Sequence, residues 1–470
     1  MYYKLKKNFL LRGWQRLPTG IIDKNTGDFN FLPIDIFKTL KLCNGMIDEK
    51  NPIFSPKQIK QMELLEKNGF VEKIENSSPL DSIQKYKFYP NRFLQSVHWS
   101  ITGKCNARCK HCYMSAPHAK MGELSDEICM NIIDQLADCG VQQIILSGGE
   151  ALVRKNFFDI VDKLIEKNIH ITAIMSNGLL VNDKLLDKFE ERGIYPEFNM
   201  SFDGVDGCHD WLRGIDGAEK AVVNAFKICR DRGFPTGSEY CLHKGNIHAV
   251  RDSIKFLSEL GLMNLKINPL FPSGEGSSIT DKAMTIEEIY DTLIDYIPKY
   301  FEDGAPMTIY LAGFFAAYKN KTYRISCCKL PEEINSDNLC VCSHARNVMH
   351  ITAEGRMIPC IPMAYTFIAD EFPIFTKDTL RDTLTNSNYL EFISTKVKDY
   401  VKHRPECDNC KYRNRCAGGC RGQAILNSML ENKNGDIWSR DPYRCAFFKK
   451  GYYDKVVSLM NDLNIKRIGS

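Results

Sequence analysis

No apolar run in this 470-residue chain approaches the roughly 20 residues that cross a bilayer, so no membrane-spanning helix and no membrane partner are expected. Lysine and arginine form no block of the kind that neutralises a phosphate backbone. The 62 basic residues are nearly balanced by 58 acidic ones, which leaves a net charge of +4 and no expectation of a nucleic-acid partner. The N-terminal stretch MYYKLKKNFLLRGWQRLP is basic but lacks a continuous apolar segment followed by a small-residue cleavage site. No secretory signal is read there, and a cytoplasmic location is expected.

Cysteine, by contrast, is abundant at 19 residues. In a reducing compartment that count points to metal ligation rather than to a disulfide framework. The length predicts two or three domains. Residues 1–90 hold a hairpin signal around Asn25-Thr26-Gly27, helical patterns near 34–43 and 56–68, and a strand-like FVEKIE after Gly69. This order predicts a small winged-helix-like α+β domain, whose first eighteen residues are of mixed charge and suited to pair as an edge strand. Residues 96–305 alternate strands (SVHWSIT, QQIILSG, HITAIMSNG, PEFNMSFDG, TGSEYCLH, LKINPLF) with amphipathic helices. The alternation predicts an α/β fold, a parallel sheet in six strand-helix units with function on the loops at the strands' C-terminal ends. Over 320–460 the periodicity fades and cysteines crowd together, as in a region organised by metal.

The densest motif is Cys105-x3-Cys109-x2-Cys112-Tyr113, directly after the first strand. Three thiolates hold three irons of a [4Fe-4S] cube and leave the fourth iron open. A zinc site is the alternative, with His111 or His118 as fourth ligand. At the next strand ends stand Ser147-Gly148-Gly149-Glu150, Ser176-Asn177-Gly178, and Ser201-Phe202-Asp203-Gly204 followed by Arg213. Glycines admit close backbone approach, Glu150 can accept from a cationic amine, and Arg213 offers a fork for a carboxylate.

Together these motifs resemble the radical S-adenosylmethionine (radical SAM) superfamily, whose fold is a partial (β/α)6 barrel. The resemblance implies that the open iron chelates S-adenosylmethionine and that one electron cleaves it to a 5'-deoxyadenosyl radical. It also implies cofactor contacts at Tyr113, Gly148, Gly149, Glu150, Ser176, Asn177, Ser201, Asp203 and Arg213, with Asn268 a weaker candidate near the adenine. An external electron donor such as flavodoxin or ferredoxin would be needed.

Downstream, Cys342 and Cys360 flank Gly355, and Cys407-x2-Cys410-x5-Cys416-x3-Cys420 precedes Cys445. A zinc ribbon would explain the central four alone. The full set resembles the SPASM domain, which carries two auxiliary [4Fe-4S] clusters, three clusters in all. That resemblance assigns Cys407, Cys410, Cys416 and Cys445 to one cluster, and Cys342, Cys360 and Cys420 to the other. The fourth ligand of the latter is Cys340, or Cys327 or Cys328 looping back, or an open position. Among the remaining thiols, Cys129, Cys139 and Cys229 read as buried hydrophobes, while Cys208 and Cys241 near strand ends are candidate hydrogen-atom donors.

The N-terminal module resembles a RiPP recognition element, which binds a leader peptide by strand addition. The expected activity is thus a peptide maturase, an oxidoreductase forming sactipeptide-like thioethers on a ribosomally made precursor. Epimerisation, carbon-carbon cross-linking, a formylglycine-forming sulfatase maturase and a non-catalytic electron-transfer protein are the alternatives.

Overall fold

The computed structural model describes residues 1–342, 344–432 and 434–469. The alternating segment forms seven parallel strands: β1 (Ser96–Ser100), β2 (Gln143–Ser147), β3 (His170–Ser176), β4 (Glu197–Ser201), β5 (Thr236–Leu242), β6 (Asn264–Pro269) and β7 (Thr308–Leu311). They lie side by side in chain order, as successive crossovers through the intervening helices produce. Six were expected. The seventh follows the helix Ile286–Glu302, which opens with a capping box between Thr285 and Glu288. An eighth parallel strand, β8 (Val348–Ile351), comes from the cysteine-rich region and pairs with the outer side of β1. The sheet ends at Met357–Ile358 on one side and Lys466–Arg467 on the other, so the barrel is open.

Side chains alternate across each strand, and this alternation separates core from cavity. Val97, Trp99, Ile144, Leu146, Phe198, Met200, Leu265 and Ile267 are buried in one cluster with helix residues such as Ile132, Leu164 and Phe226. Their neighbours His98, Ile145, Glu197, Asn199 and Lys266 line the interior. The helix Phe157–Glu166 shows the complementary pattern, burying Phe157, Ile160, Val161 and Leu164 at helical spacing. Cys129, Cys139 and Cys229 are buried as expected. Among the described residues no helix is long and apolar enough to cross a membrane.

In the N-terminal region the hairpin forms across residues 24–28, and the two helices span Ile34–Leu42 and Pro56–Lys67. Ser55 caps the second in a capping box with Gln58. The strands divide into two sheets. Phe9–Gln15, Leu17–Asp23, Phe29–Phe31 and Lys87–Arg92 form one, and Asn44–Asp48, Tyr2–Leu5 and Val71–Ile74 form the other. Tyr2–Leu5 is therefore a central strand and not the edge its mixed charge suggested, because Tyr3 and Leu5 are buried between two partners distant in sequence. The segment ENSSPLDSIQKY is ordered: it contains a 3-10 turn at Ser82–Gln84, and Gln84 is buried with its amide on the Lys6 carbonyl at 2.9 Å. Trp14 and Asn91 both donate to the Cys139 carbonyl at 3.1 Å, which docks this region on the barrel.

Candidate active site

A cavity of about 820 Å³ opens inside the barrel, lined at its upper rim by Cys105, Cys109, Cys112, Tyr113, Gly148, Gly149, Ser176, Asn177, Ser201 and Arg213. The cysteine loop leaves the end of β1 and is tied to its surroundings by main-chain bonds. Gly149 donates to the Thr102 carbonyl at 3.0 Å, Glu150 to Lys104 at 2.9 Å, and Lys110 to Leu212 at 2.9 Å. A Cβ on Gly148, which has φ of +152°, would stand 2.4 Å from the Thr102 carbonyl oxygen, and one on Gly149 equally close to that of Lys104. The glycine pair is therefore required for contact between the β2 terminus and the cysteine loop.

Each of the three thiols receives a hydrogen bond. Ala107 N–H donates to Cys105 at 3.4 Å, Ala116 N–H to Cys112 at 3.3 Å, and the Arg213 guanidinium to Cys109 at 3.6 Å. Burial nevertheless pushes the Cys105 thiol up to about 11, so its thiolate forms when a bound metal supplies the opposing charge. Beside the thiols, His111 is a buried imidazole whose Nδ1 has no partner; burial and then Arg213 lower it to about 3, so it is neutral at pH 7. His111 borders a cavity whose volume suffices for both a cube and a nucleoside.

Two of the expected contact residues act one step back from the cavity. Asp203 is fully buried, accepts from Arg213 Nε at 2.7 Å and from Cys241 N–H at 2.9 Å, and lies 3.1 Å from His209 Nδ1. Burial works against its charge, but Arg213 and His209 outweigh it and hold the carboxyl well below the usual range. Asp203 thus aims the guanidinium and does not line the cavity. Glu150, buried likewise, accepts from Asn177 N–H at 2.7 Å, Ser176 Oγ at 3.1 Å and Leu152 N–H at 3.2 Å. Burial raises its carboxyl to about 7. Its role here is to shape the Ser176-Asn177 turn, whose Asn177 amide reaches Asn106 at 2.7 Å.

The downstream thiols fall into two groups. Cys407, Cys410, Cys416 and Cys445 all line one small cavity of about 40 Å³. Among the described residues no three side chains converge as a single-ion site, so these thiols surround a volume and do not meet at a point. Cys342, Cys360 and Cys420 come together elsewhere. Burial pushes the Cys342 and Cys360 thiols up, and Cys420 raises both further. Cys360 also borders the barrel cavity. Cys340 does not join this group: its sulfur donates to the Ser394 carbonyl at 3.7 Å, because its chain segment bridges to Lys396 and turns the side chain away. Cys327 lies near Arg444 and Cys416 instead.

Cys241 and Asn268 line the main cavity, whereas Cys208 stands outside it, 3.9 Å from His248. The cavity also holds residues that motif reading missed: His98, Glu197, Glu239, Lys266, Tyr310 and His350. Their signal was present as polar residues at alternate positions of strands such as E-F-N-M-S and N-L-K-I-N-P.

A parallel open barrel with a three-thiol loop at its C-terminal rim is the architecture of a radical SAM domain, and residues 99–257 match the Radical SAM superfamily model. The chain therefore uses S-adenosylmethionine and a [4Fe-4S] cluster, for which the rim residues present suitable donors. Among sequence relatives, the Fe-coproporphyrin III synthase of Methanosarcina barkeri is 25% identical over 372 residues, 76% of this chain and 90% of that protein. The PqqA peptide cyclase of Granulibacter bethesdensis is also 25% identical, over 74% of this chain and 85% of its own length. The fold is shared with Streptococcus suis SuiB bound to the precursor peptide SuiA, with a TM-score of 0.65 at 14% identity, covering 94% of this chain and 99% of that one. Such coverage extends the common fold into the N-terminal region.

Proposed function

We propose that the protein is a cytoplasmic radical SAM maturase that modifies a ribosomally made peptide, with thioether cross-linking as the favoured outcome. The observation that carries the peptide reading is the N-terminal sheet. Its order leaves Val71–Ile74 as an edge, while the opposite edge strand is engaged by Ser78, which donates to the Gly45 carbonyl at 2.9 Å. An extended leader peptide adding to Val71–Ile74 gains main-chain hydrogen bonds, and the exposed Leu64 on the adjoining helix offers apolar contact. The barrel cavity is complete without this module, so peptide capture gives it a purpose.

When bound, S-adenosylmethionine and its cluster supply a radical that removes a hydrogen atom from a peptide carbon. The chain's own residues fix the geometry: Asp203 aims Arg213, Glu150 holds the Ser176-Asn177 turn, and Gly148 and Gly149 seat the cysteine loop. Thioether formation then removes two hydrogens from the peptide, one as the abstracted atom and one as the thiol proton. The leftover electron needs an acceptor, and the two downstream thiol groups suit auxiliary [4Fe-4S] clusters in that role. Of the group Cys342, Cys360 and Cys420, Cys360 borders the barrel cavity, and an open position on a cluster held there would suit thioether chemistry over epimerisation.

Likeness to PqqA peptide cyclase supports a peptide substrate, whereas likeness to Fe-coproporphyrin III synthase favours a second reading in which the cavity takes a tetrapyrrole. Hydrogen-deuterium exchange of the full chain with a cysteine-containing precursor peptide separates them. Protection at residues 71–74 is the expected result. Unchanged exchange there, together with tight binding of coproporphyrin III, overturns the peptide reading.

A further inference from the structure

Two rungs of side chains cross the barrel cavity, one at the level of Ser201 and one lower, at the level of Glu197. His350, His98, Ile145, Ala173 and Glu197 are register partners on five successive parallel strands, β8 and β1 to β4. Ser201, Glu239, Lys266 and Tyr310 are partners on β4 to β7. All of them line the cavity. Glu197 and Ser201 sit at opposite ends of β4, so the Glu197 rung lies roughly 13 Å below the cofactor rim by strand rise.

The charges of these two rungs do not cancel. Glu239 pairs with Lys266 at 3.2 Å, while Glu197 accepts only from the Asn264 amide at 3.3 Å and has no cationic partner among the described residues. Two carboxylates against one ammonium leave one negative charge. The imidazoles do not offset it, because burial, with Lys266 adding to the effect, lowers His98 to about 4, and burial holds His350 well below the usual range. Space for Glu197 is built in: a Cβ on Gly237 would stand 2.4 Å from its Oε1. On the same strand, Asn199 Oδ1 is buried without a partner, as is His350 Nδ1 at the far end of the Glu197 rung. An unpaired carboxylate in a partly dry bore favours a cation that donates several hydrogen bonds.

We propose that the lower bore recognises a cationic side chain, the amine of lysine or the guanidinium of arginine, on the peptide presented to the radical. Glu197 is its acceptor, and Gly237 keeps that carboxylate in place. This inference rests on the peptide-maturase reading and names the substrate class for the same cavity. It also disfavours coproporphyrin III, whose propionates would meet the unpaired Glu197.

Calorimetry on the reconstituted full chain loaded with S-adenosylmethionine tests it, with Nα-acetyl-lysine amide, Nα-acetyl-arginine amide, Nα-acetyl-norleucine amide and coproporphyrin III as probes. The lysine and arginine probes are expected to bind about tenfold more tightly than norleucine. Glu197→Gln is expected to erase that preference while leaving norleucine binding unchanged. Gly237→Ala, which displaces the carboxylate without removing its charge, is expected to weaken the preference. Iron content and the unfolding midpoint confirm that each variant is folded. Equal binding of all three amino-acid probes, no binding of any, or a preference that survives Glu197→Gln overturns the inference. The peptide reading, tested by exchange at residues 71–74, stands in those cases. Tightest binding by coproporphyrin III overturns both.

Discussion

The upper rim of the barrel and its lower bore are made of similar side chains but treat them differently. At the rim, the two buried carboxylates are satisfied by the protein itself: Asp203 is shared among Arg213, His209 and the Cys241 amide, and Glu150 accepts three donors. In the bore, Glu197, Asn199 and His350 keep unused hydrogen-bonding capacity. A site that completes its own bonds is organised in advance for one constant partner, as a cofactor is. A site that leaves bonds open derives its order from an incoming ligand, and the cost of its buried unpaired groups is relieved only on binding. The rim therefore governs whether the radical forms, and the bore governs what it meets.

The largest expected effect is at the rim. Cys109→Ala removes one of three thiols and the partner of Arg213, and 5'-deoxyadenosine formation should vanish together with the corresponding iron, as measured by mass spectrometry and iron analysis. Asp203→Asn should follow, since removing the carboxylate that neutralises the mostly buried Arg213 costs roughly 3–5 kcal/mol at pH 7. Because the folded carboxyl is held below its ordinary range, the stability it contributes is present above pH of about 4 and is lost as the pH falls through and below that value. Denaturant unfolding across pH should show this acid-side slope in the parent and a shallower one in the variant.

Gly148→Ala should destabilise by roughly 1–3 kcal/mol, from a left-handed backbone and a Cβ against the Thr102 carbonyl. The smallest effect should come from the bore. His350→Phe removes a buried Nδ1 without a partner and an Nε2 whose contact with Ser100 Oγ is long at 3.5 Å, so unfolding should shift by less than about 1 kcal/mol in either direction. A large loss of stability in His350→Phe would erase the distinction between rim and bore.

The same contrast explains what could be read from sequence. Rim residues are contiguous in short motifs because one loop or one strand end supplies each group, and Cys105, Cys109 and Cys112 are brought together as their spacing implied. The indirect roles of Asp203 and Glu150 were not legible, because they depend on which way a buried side chain turns. Bore residues arrive singly from separate strands, and His98 meets His350 only through a pairing across some 250 residues. Cys340 shows the converse: proximity in sequence to Cys342 made it a candidate ligand, yet the bridge to Lys396 sends its sulfur elsewhere. Likewise the central position of Tyr2–Leu5 depends on strands at 44–48 and 71–74 that no local pattern couples to it.

The most direct test of the account is anaerobic incubation of the reconstituted, reduced protein with S-adenosylmethionine and a cysteine-containing precursor peptide, followed by mass spectrometry of nucleoside and peptide together. 5'-Deoxyadenosine is expected to form while the peptide loses two hydrogens, with fragmentation locating a thioether. The absence of both 5'-deoxyadenosine and any peptide mass change would contradict this reading.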